Sequence, residues 1–233
     1  ALDRESLAAG AWKGQAEPLD GPIPPASWAY SPPAEPLSHD PAEAARLLAE
    51  AGWGTPDAEG TLTRRRDRFS FVLDFPAGDR HREALAEGIA RDLGEVGVRG
   101  LPRPEEMERL QERVFDRREF SAYLLGWTLG FDPDPSPVWH SREARPGGWN
   151  PVGFSDPRSD SLLELAAATV EPGARARLYA EWQELIRREL PYLFLFAEWA
   201  AVAARERVGG VDPGPRGVTW NVHRWWVRDA DEE

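Results

Sequence analysis

Asp132, Asp134, Ser136 and Glu143 fall at positions 1, 3, 5 and 12 of a calcium loop of EF-hand spacing. Position 6 must permit a sharp turn, and Pro137 stands there. Prolines 133, 135 and 137 stiffen the segment into an extended path. The spacing therefore predicts aspartates that accept backbone hydrogen bonds and hold a loop, not a cation site. The same two acids, flanked by Trp127 and Trp139, have the residue types of a glycoside-cleaving acid and base. Adjacency in sequence says nothing of separation across a substrate, so a glycoside-active enzyme using Asp132 and Asp134 stands only as an alternative. His39, His81, His140 and His223 are scattered and lack metal-ligand spacing. His140 alone lies in the same long loop as the aspartates. The chain has no cysteine, and no nucleophile elbow, phosphate loop or dinucleotide fingerprint. No metal, cofactor or catalytic residue is expected.

A net charge of −12 over 233 residues argues against nucleic acid and anionic membrane as partners. With 41% hydrophobic and 29% charged residues, the chain has enough apolar content for a packed core. No apolar run reaches membrane-spanning length. Arginine supplies 27 of the 28 basic residues, a compositional bias with little bearing on function. Tryptophan is the commonest aromatic, with 11 residues. Trp127, Trp139 and Trp149 flank one loop, which favours a binding surface there.

The elements that must position this loop follow from pattern. Residues 1–10 read as a helix end closed by Gly10. Seven prolines make 14–39 an extended loop. Asp40-Pro41-Ala42-Glu43 opens a helix to Ala51, with a capping box. Residues 52–68 are hairpin-like. Alternating Phe69, Phe71, Leu73 and Phe75 predict a strand. A helix over 80–95, a short strand over 98–101, a helix opened by Pro104 and a strand over 120–127 follow. This alternation is that of an α/β layer with parallel pairs. Residues 128–154 form a long loop of the kind that is usually functional. Helices from Pro157 to Thr169 and from Pro172 to Pro191 come next. Strands are expected over 192–196, 200–204 and 225–227.

Several stretches in order resemble the extracellular solute-binding proteins of the peptide/nickel family, receptors of ABC importers. They include Ala1-Leu-Asp-Arg-Glu, Gly21-Pro-Ile-Pro-Pro, Asp40-Pro with its helix closing on Ala51-Gly-Trp53, and Leu125-Gly-Trp-Thr-Leu-Gly-Phe-Asp-Pro-Asp-Pro135. Val138-Trp-His-Ser141, Gly153-Phe-Ser-Asp-Pro157 and Leu178-Tyr-x-x-Trp-Gln followed by Pro191-Tyr-Leu-Phe-Leu195 continue the series. The resemblance implies one lobe of a clamshell of the type II periplasmic-binding-protein kind, a mixed sheet flanked by helices. It implies a hinge-proximal helix and Pro-rich segment over 1–39, the C-terminal lobe over 40–205, and a segment over 206–233 returning toward an N-terminal lobe. That lobe and an export signal would precede Ala1. The implied partners are a peptide or other small solute and a membrane permease. The implied location is periplasmic or extracellular, with membrane anchoring by a segment outside this sequence.

The family's peptide-binding members pair the bound chain with the strand that ends in Gly-Trp, here Gly126, Trp127 and Thr128. In those members an aspartate three residues after the Trp holds the peptide's amino terminus. Gly130 stands there, and Asp132 is the nearest acid. An arginine sometimes found three residues before the Trp is Leu124. Met107 falls at a ligand-facing aromatic position. These departures argue against a free-amine dipeptide or tripeptide site, and leave a longer, capped or apolar peptide or an oligosaccharide open. Expected ligand contacts are Met107, Gly126, Trp127, Thr128, Gly130, Asp132, Asp134, Trp139 and Asn150.

Overall fold

The computed structural model describes residues 1–130, 132–214 and 217–228. In chain order the elements are α1 (Arg4–Trp12), β1 (Ala16–Pro18), α2 (Pro41–Glu50), β2 (Thr55–Pro56), β3 (Leu62–Arg64), β4 (Asp67–Arg68) and β5 (Ser70–Pro76). Then come α3 (Arg80–Glu95), β6 (Arg99–Glu105), α4 (Met107–Gln111), a π-helical turn (Glu112–Arg117) and β7 (Ala122–Tyr123). The last are α5 (Ser136–Trp139), α6 (Pro157–Ala168), α7 (Pro172–Glu189), β8 (Phe196–Glu198), β9 (Val208–Gly209) and β10 (Trp226–Val227).

The chain is mixed α/β. Its central sheet is parallel, in the order β6-β5-β7. Leu73 and Phe75 point to one face of β5 and meet Leu7 and Ala11 of α1 and Leu85, Ala86 and Ile89 of α3. Asp74 points to the other face. Burial of the apolar side chains drives this layer, at about 25 cal/mol per Å². A second core lies between α6 and α7, around Leu163, Ala166, Trp182 and Ile186. The Pro-rich segment covers it with Ile23 and Ala29. Small antiparallel sheets, β2-β3-β4, β1-β8 and β9-β10, complete the fold.

Helix starts agree with local chemistry. Asp40 accepts from the Glu43 amide at 2.9 Å, and Asp156 accepts from Arg158 and Ser159 at 2.8 and 2.9 Å. Glu43 does not complete a capping box; its carboxylate pairs with Arg46. The α1 helix passes Gly10 and ends on Lys13 in the left-handed region, φ 53°.

Other expectations are corrected. Pro104 lies in β6, not at a helix start, because β6 stays in register with β5 as far as Pro76↔Glu105. Proline is tolerated there because β6 is an edge strand. Within 120–127 only Ala122 and Tyr123 pair with β5. The 128–154 loop contains α5 and a 3₁₀ turn over Ser141–Glu143. A strand over 192–196 gives way to β8, because Tyr192 and Phe194 turn into the second core beside Trp139. Residues 200–204 form no strand.

Candidate functional site

The site is built at the carboxyl edge of the parallel sheet, where ligand crevices of open α/β sheets lie. Leu124 donates its amide to the Asp74 carbonyl at 2.8 Å, the last bond tying this strand to β5. Among the described residues no backbone hydrogen bond joins residues 125–130 to another segment. Gly126, Thr128 and Gly130 are exposed there. The segment is a row of unpaired backbone donors and acceptors, a template for one more strand.

Behind β7, the hydroxyls of Tyr123 and Tyr192 are 2.8 Å apart. Burial raises the pKa of both, with Tyr192 pushed up to about 12. The pair links β7 to the α6–α7 core through the contact of Tyr192 with Trp139, centroids 4.6 Å apart.

A buried ionic cluster fixes the opposite wall. Asp74 is 0% exposed, and Arg103 grips it bidentately at 2.6 and 3.0 Å. The same bond raises the pKa of Arg103. Arg113, from the π-helical turn, lies 3.6 Å from Asp74 and also pairs with Glu105. These ion pairs, with buried Leu110 and Val114, pin α4 and the π-helical turn against the sheet. Such turns are rare, and they frequently mark functional sites.

The π-helical turn presents Phe115 to Trp127 and Trp149. The ring centroids are 6.0 Å (Phe115–Trp127), 5.2 Å (Phe115–Trp149) and 5.8 Å (Trp127–Trp149) apart. Trp149 is 50% exposed, yet its loop is held tightly. Arg118, with φ 57°, donates to the carbonyls of Ala144 at 2.9 Å and Pro151 at 3.0 Å. The Gly147 amide donates to Phe115 O at 2.9 Å. Asn150 is buried and donates to Phe154 O at 2.8 Å while accepting from Phe154 N at 3.1 Å.

The expected ligand residues therefore separate. Gly126, Trp127, Thr128 and Gly130 lie together on or beside the open strand. Met107 is exposed at the start of α4. Asp132 is ion-paired with Arg175 at 2.8 Å, and Arg175 lies over the rings of Trp28 and Tyr179. Asp134 accepts from the amide and hydroxyl of Ser136 at 3.0 and 2.6 Å, which is the loop-holding role expected of it. Asn150 is a loop pin facing inward. Trp139 is 5% exposed and packs on Trp182, so it is a core residue and does not face the open strand. Phe115 and Arg118 were missed; Phe115 sits one position off the Met107–Leu110–Val114 stripe, and no sequence signal announces a π-helical turn.

The open strand thus lies at the carboxyl edge of a parallel sheet, flanked by the aromatic contacts of Phe115, Trp127 and Trp149. Residues 1–149 match the family described as Bacterial extracellular solute-binding proteins, family 5 Middle, and the chain belongs to that family. It is similar to the oligopeptide-binding protein AppA of Bacillus subtilis, 27% identical over 230 residues, covering 97% of this chain and 42% of AppA. The glutathione-binding protein GsiB of Salmonella typhimurium is 29% identical over 217 residues, covering 90% of this chain and 40% of GsiB. The structure of AppA in complex with a nonapeptide superposes with a TM-score of 0.82 at 26% identity, covering 98% of this chain and 46% of that one. The chain thus spans less than half the length of these relatives. The family binds solutes and is not enzymatic, which removes the glycoside-active alternative. Among the described residues no helix is long and apolar enough to cross a membrane.

Proposed function

We propose that this chain is the C-terminal lobe of a two-lobed ABC-importer receptor that binds a peptide or peptide-like solute along residues 125–130. The observation that carries the reading is the unpaired backbone of that segment. An extended peptide adding one strand there would satisfy its amides and carbonyls, with affinity from main-chain bonds and selectivity from neighbouring side chains. The peptide ligand of AppA, a relative over nearly the whole chain, supports the same solute class. In this reading residues 206–233 return toward the first lobe, the receptor works outside the cytoplasmic membrane, and closure of the two lobes signals loading to the permease. Within that segment residues 215, 216 and 229–233 lie outside the described residues.

The isolated lobe offers half of the contacts, so the 233-residue chain alone binds its solute weakly. Native mass spectrometry of the full-length receptor is expected to detect a co-purified peptide-like mass. A receptor that carries no such mass and gives no calorimetric signal with any peptide overturns the reading. Micromolar or tighter binding by the 233-residue chain alone contradicts the half-site claim.

A further inference from the structure

The open strand is unpaired along its length, yet both of its ends are tied. At one end the Leu124 amide donates to the Asp74 carbonyl at 2.8 Å. At the other, Asp132 accepts from both terminal nitrogens of Arg175, at 2.8 and 3.3 Å, in the fork that suits a carboxylate. Arg175 is itself held in place on α7. It donates to the Tyr179 hydroxyl at 2.8 Å, and its guanidinium lies 5.3 Å from the Tyr179 ring centroid and 5.6 Å from that of Trp28. Tyr179 is fully buried, and Trp28 lies in the Pro-rich segment over the second core. The chain after Asp132 is stiff as well. Pro133 and Pro135 have a fixed φ, and Asp134 accepts from Ser136 at the start of α5. Stability alone does not account for the Asp132–Arg175 pair. The Asp132 side chain is 60% exposed, which weakens the ion pair, and the buried Arg175 Nε has no partner among the described residues. The pair's main effect is to fix where the open strand ends.

We propose that Arg175 is a positioning residue for solute binding: through Asp132 it holds the far end of residues 125–130, so that the strand is ordered before a solute pairs with it. The inference rests on the peptide reading above. An edge ordered in advance spares binding the entropy of ordering the segment. The gain falls on main-chain pairing, so it is the same for solutes with different side chains.

The test uses the full-length receptor and two readouts. Nuclear magnetic relaxation measures the order of the empty strand. Calorimetry measures affinity for two probes, N-acetylated Ala-Ala-Lys-Ala-Ala amide and N-acetylated Ala-Ala-Glu-Ala-Ala amide. Backbone order parameters from Gly126 to Gly130 are expected at about 0.85 in the parent and below about 0.6 in Asp132→Asn and Arg175→Gln, with those of α6 unchanged. Each substitution is expected to weaken both probes about tenfold. The double variant is expected to lose about tenfold rather than about a hundredfold, since the two residues act as one. Arg175→Lys keeps the charge and loses the fork, and is expected to weaken both probes about threefold. A strand that is mobile in the parent, or as ordered in the variants as in the parent, overturns the positioning role. Additive losses in the double variant also overturn it. So does a loss in Asp132→Asn confined to the lysine probe, which marks direct contact with the solute's charge. Failure of both probes to bind the parent overturns the peptide reading, and the order parameters still decide whether Arg175 positions the strand.

Discussion

Asp74→Asn removes the charge at the centre of the ionic cluster and keeps the side chain's shape. Asp74 has no solvent exposure and two guanidinium partners. Breaking a fully buried charge pair costs about 3–5 kcal/mol. Here Arg103 has a side chain 47% exposed and recovers water, while Arg113 keeps Glu105. The expected cost is therefore smaller, about 2 kcal/mol. For a chain of this size that lowers the thermal midpoint by about 4–8 °C. The assay is thermal unfolding followed by circular dichroism, with urea unfolding showing a lower midpoint at unchanged slope. Tryptophan emission should also change in the native state, because the π-helical turn that carries Phe115 loosens. Arg46→Gln is the control. It belongs to the exposed Glu43–Arg46–Glu50 triplet and should leave the midpoint nearly unchanged. A midpoint for Asp74→Asn within about 1 °C of the parent would refute a structural role for the cluster.

Gly148→Ala places a Cβ 2.1 Å from Glu143 O and 3.1 Å from Arg145 O, so the backbone must move. The expected loss is about 1–3 kcal/mol, read in urea, with a shift of Trp149 emission. Leu163→Ala, in the α6–α7 core with no exposure, should cost about 2–5 kcal/mol in the same assay. Tyr123, Tyr179 and Tyr192 have raised pKa values, burial being the largest cause in each. Their protonated state stabilises the fold fully below the free tyrosine value of about 10, and that contribution is lost as pH rises toward the folded values. Phenolate absorbance should therefore show these three ionising later in the native protein than in denaturant, and coincident titrations would contradict the burial assigned to them.

Local chemistry was legible in the sequence. Asp40, Asp156 and the proline after each cap their helices as expected, because a cap depends on residues two or three positions away. The β5–α3–β6 unit follows from alternating phenylalanines and a helical apolar stripe. Long-range pairing was not legible. The β1–β8 pair joins Ala16–Pro18 to Phe196–Glu198, and nothing in a Pro-rich segment announces a partner so distant. Trp139 looked like a loop aromatic, but α5 inside that loop turns it into the second core. Asp132 looked available because Arg175, 43 residues away, leaves no trace in its neighbourhood.

The central claim is that residues 125–130 pair their backbone with the solute. Amide hydrogen exchange on the full-length receptor, free and loaded with the solute it co-purifies with, tests it most directly. The account predicts that the amides of Leu125 to Gly130 exchange freely in the empty receptor and become strongly protected on loading, while those of α6 do not change. Unaltered exchange over 125–130 in a receptor known to be loaded would contradict it.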